Sequence, residues 1–118
     1  MFLEEQTDDI AHTIQDLLQT MRSPSSSGPE LKHFIRKIND RIDVVVEESR
    51  LTFSKHGDSE LVMDANDLTD TLSRTRSTMD GLAEDIMANS SNKSVKQKIA
   101  NTSYEIAKSV KELLGLLE

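Results

Sequence analysis

The 118-residue chain contains no cysteine, and this absence removes several kinds of chemistry at once. Disulfide bridges, thiolate metal sites and thiol nucleophiles all require a sulfur atom that the sequence does not supply. A chain without cysteine also suits a reducing compartment. Any function must therefore reside in other side chains.

Aromatic residues, glycine and proline are scarce as well. Aromatic residues make up 3% of the chain and tryptophan is absent, so the core must be aliphatic. Glycine occurs four times and proline twice, which is fewer than a turn-rich β fold needs. A chain of this length forms one domain. The composition thus predicts a nearly all-helical domain.

Positive charge is in the minority, with 14 basic against 21 acidic residues and a formal net charge of −7. This balance disfavours binding to nucleic acid or to an anionic membrane through the bulk surface. No apolar run approaches the ~20 residues that a membrane span requires. Residues 1–5, Met-Phe-Leu-Glu-Glu, carry two acidic side chains and lack the basic and apolar pattern of a signal peptide. We expect no nucleic-acid partner and no membrane span.

Apolar residues recur at steps of three and four in four separate stretches, which is the period of amphipathic helices. The pattern predicts one domain over residues 1–118, with helices at about 2–22, 30–55, 59–88 and 93–118. Helices of this kind, joined by short links, favour an all-α, antiparallel up-down-up-down four-helix bundle. In that arrangement the fourth helix lies beside the first.

The links carry turn-forming residues. Residues 23–29 contain two prolines, a glycine and four serines, and Pro29 suits the first turn of the second helix. Gly57 is expected to end that helix in a left-handed conformation. The Ser23-Pro24 pair matches a proline-directed phosphorylation site, although a solvated loop explains the same residues.

Two features inside the helices oppose helical propensity. Residues 44–46 are three valines, which would favour a strand in isolation, but the helical period of the whole stretch outweighs them. Gly81 lies in the middle of the third helix, where glycine costs about 1 kcal/mol relative to alanine. We expect close packing by a neighbouring helix at that point.

No arrangement typical of catalysis or cofactor binding is visible, so the sequence predicts neither an enzyme nor a cofactor site. Asp8 and Asp9 near His12 come nearest to the spacing of metal ligands on one helix face, but an exposed i,i+4 ion pair between Asp8 and His12 is the preferred interpretation. His33 is the candidate for histidine phosphotransfer, because such bundles display one exposed histidine. No glycine follows it to admit a response regulator.

The last helix carries the most distinctive surface. It contains five lysines, whereas the first and third helices are strongly acidic. Lys108 and Lys111 flank its apolar seam, and alanines lie on one side of the seam, where a second helix can approach closely. The junction of the first and fourth helices therefore sets an acidic rim against a basic one.

Residues 103–113, Ser-Tyr-Glu-Ile-Ala-Lys-Ser-Val-Lys-Glu-Leu, resemble the final helix of the C-terminal focal-adhesion-targeting-type domain of the GIT family of Arf-GAP scaffolds. The pattern in that family is roughly Ala-Tyr-Asp-Ile-Ala-Lys-x-x-Lys-x-Leu. Residues 14–18, Ile-Gln-Asp-Leu-Leu, resemble the family's Ile-Gln-Glu-Leu-Leu in the first helix. The Ser/Asn-rich composition is similar to that of the C-terminal domains of fungal polarisome scaffolds, which share elements with GIT proteins.

This resemblance implies a non-enzymatic, cytoplasmic scaffold or adaptor domain at the cell cortex or at sites of polarised growth, in the service of cell polarity and the actin cytoskeleton. GIT domains of this type bind short leucine- and aspartate-rich helices between the first and fourth helices. Carried over by position, the partner-binding residues are Ile14, Leu18, Tyr104, Ala107, Lys108, Lys111 and Leu114. The resemblance implies that the lysines hold acidic residues of the partner helix over an apolar floor.

Two alternatives stay open at this point. The first helix departs from the family pattern in its acidity, with Glu4, Glu5, Asp8 and Asp9, which favours a more basic partner helix. The same surface also suits homodimerisation of a scaffold.

Overall fold

The computed structural model describes the backbone of residues 2–23, 25–56 and 59–117, and the side chains of 4–23, 25–55 and 59–116. Within these residues the chain forms four α-helices and no strand, as the sequence predicts. The helices are α1 (Phe2–Arg22), α2 (Gly28–His56), α3 (Ser59–Ala88) and α4 (Lys93–Leu117). The expected cap at Gly57 and the seam side chains of Leu3 and Leu117 lie outside the described residues.

Side-chain caps fix where two helices begin. The Ser27 hydroxyl accepts a hydrogen bond from the Glu30 backbone N–H at 3.2 Å, so α2 begins at Gly28, before the Pro29 or Glu30 that its sequence suggests. The Asn92 side-chain oxygen accepts one from the Val95 N–H at 3.1 Å and caps α4 in the same way. Each cap satisfies a backbone donor that has no partner inside its helix.

Close packing at a glycine occurs at Gly28 and not, as expected, at Gly81. A β-carbon at Gly28 would lie 3.0 Å from the Ile86 carbonyl oxygen and 3.1 Å from the Met87 α-carbon, so the start of α2 packs directly on the end of α3. A β-carbon at Gly81 would meet nothing within 4 Å. The expectation of close helix packing at Gly81 is therefore wrong, because this residue faces solvent.

The core is aliphatic. Val45 and Val46 are buried in it as part of α2, so the three valines of residues 44–46 are helical. Phe53 is buried beside them as an aromatic member of the core. The largest fully buried side chains are Ile10, Leu17, Leu31, Ile35, Ile38, Ile42, Leu72, Met79, Ile86, Ile99, Ile106 and Leu113.

The helices pack in a ring around this core, in a molecule with principal extents of 48 × 22 × 17 Å. α1 packs against α2 and α4, and α3 also packs against α2 and α4. Of these four interfaces, the one between α1 and α4 is the least extensive. The side of the molecule that this interface closes is therefore its most open side.

A ladder of polar contacts joins the outer faces of α2 and α3. Its steps, in order along α2, are Lys32–Glu84, Asn39–Asp80, Asp43–Arg76 and Arg50–Asp70. Arg76 is its centre, since its Nε and Nη2 donate to the two Asp43 oxygens at 2.6 and 3.0 Å and its Nη1 donates to Asp80 at 2.8 Å. The hydrogen bond to Asp43 raises the pKa of Arg76, and the hydrogen bond from Lys32 lowers the pKa of Glu84.

Candidate partner-binding groove between α1 and α4

An open cleft of about 330 Å³ lies where the end of α1 meets the first half of α4. Its walls contain both apolar and basic side chains. They are Leu18, Met21 and Arg22 of α1, and Lys93, Lys96, Gln97, Ala100 and Tyr104 of α4. The cleft follows from the limited contact between these two helices, which leaves their facing sides partly uncovered.

The cleft contains apolar side chains that the core does not fully cover. Leu18 and Ala100 are half-buried, and the Tyr104 side chain has 61% of its surface exposed. Ala100 is small, so the backbone of α4 is accessible beside the larger Leu18. Exposed tyrosines that line a cleft are typical anchors in protein interfaces.

Three cations surround the end of the cleft near the α1–α2 link. Arg22 ends α1, and Lys93 and Lys96 open α4 directly across from it. The Lys96 ammonium donates a hydrogen bond to the Met21 backbone carbonyl at 3.3 Å, which ties the two helices together. Arg22 and Lys93 are exposed. This end of the cleft is therefore basic although the chain as a whole is acidic.

Lys108 and Lys111 continue this basic surface along α4. They follow Tyr104 by four and seven residues, so all three side chains share one face of the helix. Both lysines are exposed, and within the described part of the chain neither has a carboxylate within 4.0 Å. Neither lines the cleft itself, which ends at Tyr104.

The other residues inferred from the family resemblance do not line the cleft. Ile14 is 4% exposed and belongs to the core. Ala107 and Leu114 are half-buried and pack against the core. Leu18 and Tyr104 are the two of the seven that meet in the cleft.

Sequence reasoning missed the residues at the basic end of the cleft. These residues are Met21, Arg22, Lys93 and Lys96. The sequence alone shows only that the last helix is rich in lysine. The signal that could have found them is positional, because the up-down-up-down arrangement expected from the sequence would bring the end of α1 next to the start of α4.

The acidic residues of α1 are distributed over several faces. Asp9 points towards α2, where a carboxylate oxygen lies 3.9 Å from Arg41 Nε. Asp8 does not form the expected i,i+4 ion pair with His12: the His12 ring Nδ1 lies 2.8 Å from the Asp8 backbone carbonyl. The acidity of α1 is therefore not concentrated on the groove.

The residues weighed for other chemistry stand apart from one another. His33 is exposed on α2, with its ring centroid 5.9 Å from that of Phe34. Among the described residues no group of three His, Cys, Asp or Glu side chains is arranged to hold a metal ion. None of the described helices combines the length and the hydropathy that crossing a bilayer requires. Ser23 contacts Ser25, with 2.9 Å between the hydroxyl oxygens, and its neighbour Pro24 lies outside the described residues.

Comparison with known proteins supports the resemblance found in the sequence. Protein SPA2 of Saccharomyces cerevisiae (strain ATCC 204508 / S288c) is 30% identical to the chain over 129 aligned positions, which cover 100% of this chain and 9% of that protein. The chain thus corresponds to a small part of the length of this relative. No solved structure matched the chain. The family described as G protein-coupled receptor kinase-interacting protein 1 C term matches residues 1–118, and the chain belongs to this family.

Proposed function

We propose that this domain is a non-enzymatic scaffold or adaptor module that binds an amphipathic helix of a partner protein in the groove between α1 and α4. Membership of the family supports a scaffold role. The observation that carries the proposal is Tyr104, which is 61% exposed beside Leu18 in an open cleft with a basic border. A core helix with no external role would not require a tyrosine there.

The proposal includes an antiparallel up-down-up-down arrangement of the four helices. The ladder between α2 and α3 supports it, since its partners rise in number along α2 and fall along α3. Two further contacts involve α4. Arg74 of α3 lies 3.0 Å from Glu105 of α4, and Lys96 near the start of α4 contacts Met21 near the end of α1. This arrangement aligns a long groove with the axis of the molecule.

The dimensions and charge of the groove favour an acidic amphipathic helix. From Lys93 to Lys111, α4 rises about 27 Å, which accommodates a partner helix of about 18 residues. Leucines on one face of that helix would cover Leu18, Ala100 and Tyr104. Acidic residues beside them would meet the cations of the border, as in other helix-in-groove complexes.

The acidity of α1 first suggested a more basic partner. The contact of Asp9 with Arg41 on the α2 side argues against that choice, because this carboxylate does not face the groove. The unpaired Lys108 and Lys111 argue in the same direction. We therefore assign the acidic helix to this groove.

The resemblance to GIT and fungal polarisome scaffolds also supports a proposal about where in the cell the domain acts. In this view the domain recruits protein partners at the cell cortex or at sites of polarised growth, as part of a polarity scaffold. The match to Protein SPA2 supports this placement.

A direct test is the titration of fluorescein-labelled 18-residue peptides into the purified domain. One peptide has leucines at helical spacing flanked by aspartates, and its matched counterpart has lysines in place of the aspartates. We expect the acidic peptide to bind, and the double variant Lys108→Glu/Lys111→Glu to weaken it about tenfold or more, since exposed ion pairs each contribute ~0.2–1 kcal/mol and reversal replaces attraction by repulsion.

The control is Lys37→Glu/Lys98→Glu, which changes the net charge equally on other exposed faces. It should leave affinity nearly unchanged, and both variants should retain the helicity and melting temperature of the parent. Undiminished binding to the Lys108/Lys111 variant would refute the groove assignment. Sedimentation at micromolar concentration tests the alternative of homodimerisation. A domain that sediments as a monomer would exclude that alternative.

A further inference from the structure

A second groove lies on the other flank of α4, between the end of α4 and the start of α3. Its volume is about 440 Å³. Its lining combines carboxylates with apolar and small residues: Asp64, Asp67 and Leu68 of α3, and Glu112, Gly115 and Leu116 of α4. From Lys96 to Glu112, α4 rises about 24 Å, so this groove and the cleft around Lys96 lie near opposite ends of the helix, although Lys108 and Lys111 lie within about one turn of Glu112.

The carboxylates of this groove differ from most others on α3 in having no cation partner. Asp70, Asp80 and Glu84 engage Arg50, Arg76 and Lys32 across the ladder to α2. Within the part of the chain that the structure describes, no basic group lies within 4.0 Å of the carboxylates of Asp64, Asp67 or Glu112. All three are exposed. None of the three is therefore neutralised by an ion pair within the described part of the domain.

Between these carboxylates the groove has an apolar floor with free space above it. Leu68 and Leu116 are half-buried there. A β-carbon at Gly115 would meet nothing within 4 Å, so nothing in the described chain covers this part of the groove. Met63, which precedes Asp67 by four residues on α3, is 67% exposed but does not line the groove.

We infer that this α3–α4 groove binds a basic amphipathic helix of a partner protein. An apolar stripe of that helix would cover Leu68 and Leu116, and lysines or arginines beside the stripe would pair with Asp64, Asp67 and Glu112. Charge complementarity selects this occupant, because an acidic helix would add to an existing repulsion. The backbone of the partner can approach closely at Gly115, where no side chain stands in its way.

The two grooves lie on different flanks of α4, one facing α1 and one facing α3, and their linings differ in charge. The α1–α4 cleft therefore favours an acidic partner and the α3–α4 groove a basic one.

The probe for this site is a fluorescein-labelled 18-residue peptide of leucine and lysine at helical spacing, titrated at about 0.15 M salt to limit long-range attraction. The test variant is Asp64→Asn/Asp67→Asn/Glu112→Gln. The control is Asp16→Asn/Asp40→Asn/Asp85→Asn, which removes the same charge from exposed positions outside the groove. We expect about tenfold weaker binding to the test variant and less than a twofold change for the control.

Gly115→Trp provides a second test that does not alter charge. The site is open and Gly115 does not have a positive φ, so the domain should fold normally, with unchanged far-ultraviolet circular dichroism. The indole should block the groove and weaken the peptide at least tenfold. A peptide with the same composition in scrambled order should bind weakly. Equal weakening by the test and control variants, equal binding of the scrambled peptide, or full binding to Gly115→Trp would each overturn the proposal.

Discussion

The Lys96 ammonium of α4 donates a hydrogen bond to the Met21 carbonyl at the end of α1, at 3.3 Å. Carbonyl groups in the last turn of a helix lack intrahelical partners, so this bond satisfies one of them. The positive charge also lies at the negative end of the α1 dipole. The contact holds α1 and α4 together where the basic cleft begins, and leaves the cleft open towards Tyr104.

The first prediction concerns this contact. Lys96→Met keeps most of the aliphatic side chain but removes the donor, and we expect it to lower the free energy of unfolding by about 1 kcal/mol. Urea denaturation followed by circular dichroism measures the change. Lys98→Met is the matched control, because Lys98 is exposed on another face of α4. Equal effects of the two substitutions would contradict a specific role for the Lys96–Met21 bond.

The second prediction compares a closely packed glycine, Gly28, with two open ones, Gly81 and Gly115. Gly28→Ala should destabilise the protein by about 1–3 kcal/mol, because its methyl group would press on the backbone of Ile86 and Met87 at 3.0–3.1 Å. Gly81→Ala and Gly115→Ala should instead stabilise it by up to about 1 kcal/mol, since both sites are helical and open. Thermal melts of the three variants provide the comparison. A neutral Gly28→Ala would show that α2 and α3 can separate at that point without cost.

The third prediction concerns the centre of the polar ladder. Arg76→Gln removes a two-pronged contact with Asp43 and a bond to Asp80, and should cost about 1 kcal/mol at low salt and less at 1 M salt. Arg74→Gln is the control, because Arg74 makes one contact, with Glu105 at 3.0 Å, and is more exposed. Stability should be measured for both at each salt concentration. A larger loss of stability for Arg74→Gln than for Arg76→Gln would contradict the role of Arg76 as the centre of the polar ladder between α2 and α3.

The fourth prediction is a pH dependence. The Lys32 hydrogen bond lowers the pKa of Glu84 from its ordinary 4.5, so its contribution to stability is present above that value and is lost as pH falls through the folded-state pKa. The difference in unfolding free energy between the parent and Glu84→Gln should therefore be constant near neutrality and shrink in acid. In a Lys32→Met background the Glu84→Gln substitution should lose most of this dependence, and the charge of Arg36, which also lowers the pKa of Glu84, should account for the remainder. A difference that persisted undiminished at pH 2 would contradict the assignment.

The helices could be predicted from the sequence because burial repeats with the helical period. Ile35, Ile38 and Ile42 are fully buried at steps of three and four, and the valines of residues 44–46 are helical despite their β propensity. In a long amphipathic helix, tertiary burial outweighs the propensity of a few residues. For the same reason Tyr104, which lies off the seam of α4, could be expected on the surface.

Contacts that depend on a neighbouring helix could not be predicted in this way. Whether Gly28 or Gly81 is approached closely depends on the backbone of another helix, which the periodicity of one helix does not report. The hydrogen bond that the buried Asn39 donates to Asp80, at 2.8 Å, could not be predicted either. The apolar period of α3 does not indicate which of its polar residues faces Asn39. That Arg22 and Lys93 line the same cleft depends on where α1 ends and where α4 begins, which the pattern of neither helix alone shows.

The most direct measurement of the central claim locates a bound helix on the domain. The acidic leucine–aspartate peptide, carrying a nitroxide spin label at its centre, is added to the isotopically labelled domain, and paramagnetic broadening of amide signals is recorded by nuclear magnetic resonance. If a helix docks between α1 and α4, broadening should be strongest at Leu18, Ala100, Tyr104 and Ala107, and should be lost with Lys108→Glu/Lys111→Glu. Broadening centred instead on Leu68 and Leu116 of the α3–α4 groove would show that the partner helix binds elsewhere and that the groove assignment is wrong.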